Sequence, residues 1–332
     1  MRPGKTALWT TLGLAAATIG VAALAPEKVL AAEFARQRLL AGAKRYAIVL
    51  DGHRWCYLDA GRTRPLRAPA VRNGLPQAIP RKPVVVLIHG FTGGKENWLP
   101  LMRQMAGHAR LIAPDLPGWG DSQRRADADY GLESQVERLA GFLRALPAIV
   151  GREGPPDLLV GHSMGGQIAG LLAARHPELA PRLALMSAAG VLFEANAFGV
   201  AVQAGENPFG VLDHAQLKRY FSMVFAQPPM VPWPFSEALV QRRREDAAFE
   251  DAVLADIGRG PAAFALQREL GAIAAPTLLL WGDEDAVIDP SAMAIFQAGL
   301  ADSRATLLNG CGHMPMMERT RQTAQALLDF LQ

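Results

Sequence analysis

Leu158-Leu159-Val160-Gly161-His162-Ser163-Met164-Gly165-Gly166-Gln167-Ile168-Ala169-Gly170 is the stretch whose reading decides the fold. Its first three residues form a short apolar run of the kind that makes a strand buried on both faces. Gly161 to Gly165 then reads G-x-S-x-G, and a helical stretch runs from Gln167 to Arg175. The pentapeptide alone is a weak signal, because Gly and Ser each make up about 7% of residues in average chains. Its strand–turn–helix setting carries the weight. That turn is sharp enough that the positions beside the serine must be nearly bare, and it presents the serine Oγ at the strand's end. The N–H of the following residue, Met164, points toward the same place from a helix N-terminus.

Working outward, the chain alternates short apolar runs with segments of helical period. The runs are Val84–Ile88, Arg110–Ala113, Leu158–Val160, Leu183–Met186, Thr277–Leu280 and Ala305–Leu308. Between the second and third, Leu132, Val136, Leu139, Phe142, Leu143 and Leu146 fall on one helical face. Strand–helix alternation predicts a mostly parallel, doubly wound sheet flanked by helices. In such sheets the site lies at the C-terminal ends of the strands, and the polar motifs of this chain follow those ends. Upstream, two apolar runs flank Asp51-Gly52 within Tyr46–Leu58, a hairpin signal. Arg62 to Pro83 holds Pro65, Pro69, Pro76, Pro80 and Pro83 and reads as a long exposed loop with no chemistry to assign.

A serine needs a base, and a base needs a carboxylate to hold its tautomer. His313 lies in Asn309-Gly310-Cys311-Gly312-His313, a Gly-rich turn after the last strand, and is the predicted base. His89 opens the turn after Val84–Ile88, a position that shapes an oxyanion loop. His162 neighbours the serine, where adjacent side chains diverge. His53, His108, His176 and His214 fall in hairpin, helix-end or insertion contexts. Trp281-Gly282-Asp283-Glu284-Asp285 follows the Thr277–Leu280 strand. Asp285 sits far enough past it to curl back toward a histidine loop, ahead of Asp283, Glu284 and Asp289. The order Ser163, Asp285, His313 matches one of the known chain orders of serine hydrolases. Phe91 is the predicted second oxyanion donor, its N–H paired with that of Met164.

Other motifs are weaker. Gly90 to Glu96 imitates a phosphate loop, but its Gly-to-Lys spacing is one residue short and Glu96 replaces the hydroxyl that would hold Mg²⁺. Gly118-Trp119-Gly120-Asp121-Ser122 reads as a structural loop, and Arg242 to Asp246 as a solvated helix face. Cys311 reads as packing.

Composition sets the bounds. Of 332 residues, 50% are hydrophobic and 20% charged, which excludes global disorder. Two cysteines exclude a disulfide scaffold or a Cys-based zinc cluster, and a net charge of +3 is too small to imply nucleic acid. The mean hydropathy of +0.10 asks where the apolar residues sit. One place is Thr6–Ala25, twenty uncharged residues after Arg2 and Lys5, long enough for a membrane anchor, with a cleaved secretory signal as the alternative. The basic residues that follow would place the globular part on the cytoplasmic side of an anchor, whereas signal cleavage would leave it secreted or periplasmic. The other is the stretch of about ninety residues between the Leu183–Met186 and Thr277–Leu280 runs, which holds ten of the twenty-three aromatics. It is too long for one crossover helix and predicts a helical cap whose surplus aromatics line an apolar acyl pocket.

Taken together, His89-Gly90-Phe91, Gly161 to Gly170, Ala188-Ala189-Gly190, Pro276 to Gly282 and Cys311 to Arg319 resemble the membrane-anchored monoacylglycerol lipases of the α/β-hydrolase superfamily and related bacterial lipases and esterases. The resemblance runs the length of the chain, although the Arg62–Pro83 loop is longer than the family's and the cap matches only loosely. It implies an α/β-hydrolase fold with an inserted cap. It also implies Ser163, Asp285 and His313 as triad, Phe91 and Met164 as oxyanion donors, and no cofactor or metal. The expected division is a hydrophobic anchor or signal at 1–30, a basic linker, hairpin and Pro-rich loop at 31–83, a core at 84–190 and 271–332, and a cap at 191–270. The expected activity is hydrolysis of medium-to-long acyl esters such as monoacylglycerols, with a small lipid or ester and the membrane as partners, no nucleic acid, and a membrane-associated location. A C–C bond hydrolase using the same triad and a catalytically silent binding protein are the alternatives.

Overall fold

The computed structural model describes residues 25–61, 71–72, 75–76 and 81–332. Eight strands form one mixed sheet: β1 (Lys44–Leu50), β2 (His53–Ala60), β3 (Val84–Ile88), β4 (Arg110–Pro114), β5 (Leu158–His162), β6 (Leu183–Met186), β7 (Thr277–Gly282) and β8 (Ser303–Leu308). Their order is β1-β2-β4-β3-β5-β6-β7-β8. β2 runs antiparallel to β1 and β4, and the other neighbours are parallel. Asp51 and Gly52, both at positive φ, close the β1–β2 hairpin with the twist a two-residue turn requires.

The apolar runs explain the layering. Every residue of β3, β5, β6 and β7 is buried, as strands covered on both faces must be, whereas β8 at the sheet edge is mostly open. Each fully buried Val, Leu or Ile contributes about 1.5–3 kcal/mol, so the central strand ends are firmly held. From β3 the chain crosses to β4 on one side, and from β5 to β6 on the other. The β3 and β5 ends therefore flank a switch point, where such sheets place their crevice.

Helices cover the sheet. α1 (Pro26–Leu40) precedes it, and α2 (Leu99–Met105) packs on the last helix of the chain. α3 (Leu132–Val150) buries its apolar stripe and ends at Gly151, whose positive φ lets its N–H reach the Pro147 carbonyl. α4 (Met164–Arg175) is buried along nearly its whole length and packs against β5, β6 and α3. Between β6 and β7 lie α5 (Ala197–Gln203), α6 (His214–Val224) and α7 (Phe235–Ile257). Asn196 and Asp213 begin the first two by accepting hydrogen bonds from Gly199 and Gln216 N–H groups at 2.8 and 2.7 Å. α7 carries α1 on its surface. α8 (Ala292–Gly299) follows β7, and α9 (Thr320–Phe330) follows β8.

The membrane expectations need correction. No helix among the described residues is long and apolar enough to cross a membrane. α3 and α7 have the length, but carry four and nine charged residues, and α1 has five charges in fifteen residues. Burying such charges in hydrocarbon is prohibitive. The transmembrane element of the fold, the membrane-anchored part of the resemblance, the membrane as partner and the single-anchor location are therefore not upheld. Thr6–Ala25, which prompted both the anchor and the signal readings, lies outside the described residues but for Ala25. Most of the Arg62–Pro83 loop lies outside them as well.

Packing at the β5 end makes a direct test. A Cβ on Gly165 would sit 2.3 Å from the His89 carbonyl oxygen, whereas one on Gly271 meets nothing within 4 Å. Gly165→Ala is expected to lower stability by about 1–3 kcal/mol or more, and Gly271→Ala to leave it within about 0.5 kcal/mol. Urea denaturation midpoints of the two variants check this.

Candidate active site

Ser163 occupies φ 54°, ψ −121° at the junction of β5 and α4. Such a conformation costs a non-glycine residue about 1–3 kcal/mol and persists only where its surroundings over-determine it. Here they do. The Ser163 N–H donates to Met186 O at 3.0 Å, and its carbonyl accepts from Gly166, Gln167 and Ala189 at 2.9, 3.1 and 3.1 Å. The turn also closes only with bare flanks, since a Cβ on Gly161 would meet Gly165 O at 2.3 Å.

Asp285 and His313 meet at the ends of β7 and β8. The His313 Nδ1–H donates to the Asp285 carboxylate, at 3.0 and 2.9 Å from its two oxygens, and both residues are buried. Oδ1 also accepts from the Val287 and Ile288 N–H groups at 2.9 and 3.0 Å, which fixes the carboxylate and, through it, the ring. None of the competing acids is hydrogen-bonded to the ring. Asp283 accepts from Cys311 N–H, Asp289 from Ser291 N–H, and Glu284 lies beside Gly310. Ser163 shares this end of the sheet, but its Oγ is not hydrogen-bonded to the His313 ring; links of this type tighten when substrate binds.

Two further histidines frame the site and remain neutral. His89 donates from Nδ1 to Gly90 O at 2.8 Å and accepts at Nε2 from Leu116 N–H at 3.0 Å. It braces the turn that carries Phe91, and complete burial lowers its pKa. His162 donates from Nε2 to the His313 carbonyl at 2.7 Å, its ring 4.8 Å from that of His313. Burial, and then the neighbouring His313, depress its pKa well below the ordinary 6.5. Sequence reasoning gave His162 no role, since that hydrogen bond spans 151 residues.

Glu318 was missed for the same reason. Burial raises its pKa, yet its carboxylate accepts from Ala226, Gly312 and Met314 N–H groups and so ties the His313 loop to the end of α6. Cys311 is buried and its thiol is pushed up to about 12, chiefly by that burial, consistent with packing. Lys95, the lysine of the false phosphate loop, is buried and held by Asp115 at 2.6 Å, Asp121 at 2.7 Å and Glu96 at 3.2 Å. No phosphate could reach it.

The N–H groups of Phe91 and Met164 find no acceptor among the described residues. Met164 opens α4, where the first donors have no intrahelical partner. Both residues, with Ser163, line a cavity of about 390 Å³. Its walls come largely from the segment between β6 and β7, including Phe198, Phe209, Val202, Leu254 and Ile257. Only Ser163, Gln167 and Gln203 bring polar side chains to it, and none of its lining residues is charged.

Residues 83–320 match the family described as alpha/beta hydrolase fold. The chain is 30% identical over 264 residues to the Bos taurus monoacylglycerol lipase, covering 75% of each chain. It is 28% identical over 247 residues to Lipase 1 of Psychrobacter immobilis, covering 72% of this chain and 74% of that one. Among solved structures, a membrane phospholipase A, a bacterial virulence factor, superposes with a TM-score of 0.82 at 34% identity, covering 98% of both chains.

The neutral histidines predict a pH dependence of stability. Between the depressed native pKa and the ordinary 6.5, the unfolded chain binds a proton that the native chain refuses. Stability therefore falls as pH drops below about 6.5, by up to about 1.4 kcal/mol per pH unit for each histidine. Glu250, pushed up to about 7 by burial, acts in the opposite sense. His162→Asn is expected to flatten the decline between pH 7 and 5.5 relative to the wild type, both carrying Glu250. Urea midpoints across that range measure it, and an unchanged slope would contradict the assignment.

Proposed function

The chain belongs to the alpha/beta-hydrolase-fold family and is a carboxylic ester hydrolase of the serine type, and on that premise we propose that it cleaves esters of medium-to-long acyl chains, monoacylglycerols among them, through an acyl-enzyme at Ser163. The observation that carries this reading is the 390 Å³ cavity, walled by apolar side chains and free of charge, with Ser163 on its lining. Hydrocarbon gains about 0.8 kcal/mol for each methylene moved from water into such surroundings.

In this reading Ser163 Oγ attacks the acyl carbonyl carbon as His313 Nε2 takes its proton. Asp285, fixed by the Val287 and Ile288 N–H groups, holds the ring in the correct tautomer and stabilises the imidazolium. The unpaired N–H groups of Phe91 and Met164 receive the charge that develops on the carbonyl oxygen, where one such donor is worth about 3–4 kcal/mol. Collapse of the intermediate expels the alcohol, protonated by His313. Water, deprotonated by the same imidazole, then attacks the acyl-enzyme and releases the acid. His89 and His162 do not compete as bases, because both are buried, neutral and committed to main-chain partners.

The cavity also weighs against a C–C bond hydrolase for acidic substrates. Such a substrate calls for a cation in the pocket, and the lining has none. A catalytically silent binding protein would have no use for the Asp285–His313 pair.

With p-nitrophenyl esters of graded length, kcat/KM is expected to rise at least tenfold from acetate to decanoate. Ser163→Ala should lose at least about a thousandfold in kcat, and Asp285→Asn on the order of 10³–10⁴-fold, because the ring then loses its tautomer partner. A preference for acetate would defeat the acyl-pocket reading, and near-normal turnover by Ser163→Ala would defeat the mechanism.

A further inference from the structure

Gln167 lies one turn beyond Ser163 on α4, its N–H donating to the Ser163 carbonyl at 3.1 Å. Its side chain is 2% exposed and lines the cavity. The Nε2 group donates to the Ala262 carbonyl at 2.8 Å. A carbonyl can only accept, so this contact fixes which end of the amide is nitrogen. Oε1 is left with no partner among the described residues. Unlike His162 Nδ1 and Ser187 Oγ, which are both unpartnered and sealed, Oε1 keeps accessible surface. The space open to a side chain so buried is the cavity it lines.

Gln203, the other amide on the lining, is exposed, so Gln167 gives the buried part of the chamber a free acceptor, one helical turn from the nucleophile. An acyl chain cannot satisfy it: hydrocarbon packed there would strip the oxygen of water and return no hydrogen bond. Its complement is an O–H or N–H donor. The short path from Gln167 to Ser163 along one helical turn puts that donor near the scissile ester rather than at the tail of the acyl chain. We propose that Gln167 Oε1 accepts a hydrogen bond from a free hydroxyl of the leaving alcohol, so that the site selects partial esters of polyols, glycerol being the simplest, over esters of plain alkanols. The proposal rests on the reading of Ser163 as an ester-cleaving nucleophile. A site built around such an acceptor discriminates against the analogue that lacks the donor, because its own polar group is then left unpaired.

The test compares kcat/KM for 1-monodecanoylglycerol with that for propyl decanoate, which has the same acyl group and three-carbon alcohol without the hydroxyls. The ratio is read within each protein, so a general loss of activity or stability cancels. The wild type is expected to favour the glyceryl ester about tenfold. Gln167→Met, similar in length but without the acceptor, should bring the ratio close to one. Gln167→Glu keeps acceptor oxygens but loses the donor to Ala262, and should retain the preference while its Tm falls. A wild-type ratio near one, a preference that survives in Gln167→Met, or one lost in Gln167→Glu would overturn the proposal; the wild-type ratio decides even where a variant fails to fold. Absence of wild-type turnover of both esters would instead overturn the underlying esterase reading along with it.

Discussion

The turn that leads β5 into α4 forces Ser163 into a conformation that L side chains avoid, φ 54° with ψ −121°. Everything near it serves to hold that conformation. β6 supplies the Met186 carbonyl to its N–H, the Ala189 N–H bonds its carbonyl, and the bare flanks at Gly161 and Gly165 let the helix start against the His89 carbonyl without a clash. A strain of about 1–3 kcal/mol is sustained because the buried central strands cannot shift to relieve it. The functional return is geometric: Ser163 and the unsatisfied N–H of Met164 are delivered together to the cavity that both line.

Charge is distributed to suit that arrangement. Lys95 is absorbed by Asp115, Asp121 and Glu96 beside the β4 end, and Arg38 of α1 reaches the same Glu96 at 3.2 Å. On α7, Arg243 pairs with the buried Glu250 at 2.8 Å and also donates to the Phe209 carbonyl, so the pair braces a residue that lines the cavity. The cavity itself contains no charge. The two framing histidines are kept neutral by burial, which reserves His313 as the one imidazole paired with a buried carboxylate.

The legible parts of this molecule are those with local causes. Unbroken apolar runs mark strands covered on both faces, and a G-x-S-x-G between such a run and a helix marks the elbow, because the steric demand falls on adjacent residues. Asp285 and His313 were readable as candidates because each follows a strand end, and its distance past β7 set Asp285 ahead of three neighbouring acids, although that distance alone does not show the hydrogen bond to the imidazole. Contacts between distant segments left no trace in the sequence. Gln167 meets Ala262 across 95 residues and Glu318 meets Ala226 across 92, and neither sits in a pattern that announces its partner. Lys95 misled in the opposite direction, a phosphate-loop lysine by spacing and a buried counter-ion in fact. The membrane reading was drawn from the hydropathy of Thr6–Ala25, its basic flanks and the resemblance to membrane-anchored lipases, and none of the described helices supports a spanning segment.

All of this depends on Ser163 being the nucleophile on the lining of a largely apolar chamber. The most direct measurement is peptide mass mapping of the full-length protein after reaction with a p-nitrophenyl decylphosphonate ester, which traps an activated serine and carries an acyl-like chain. One phosphonyl group per chain, located on Ser163 and abolished in His313→Ala, is the expected result. An unmodified Ser163, or a stoichiometric adduct on another residue, would contradict the account.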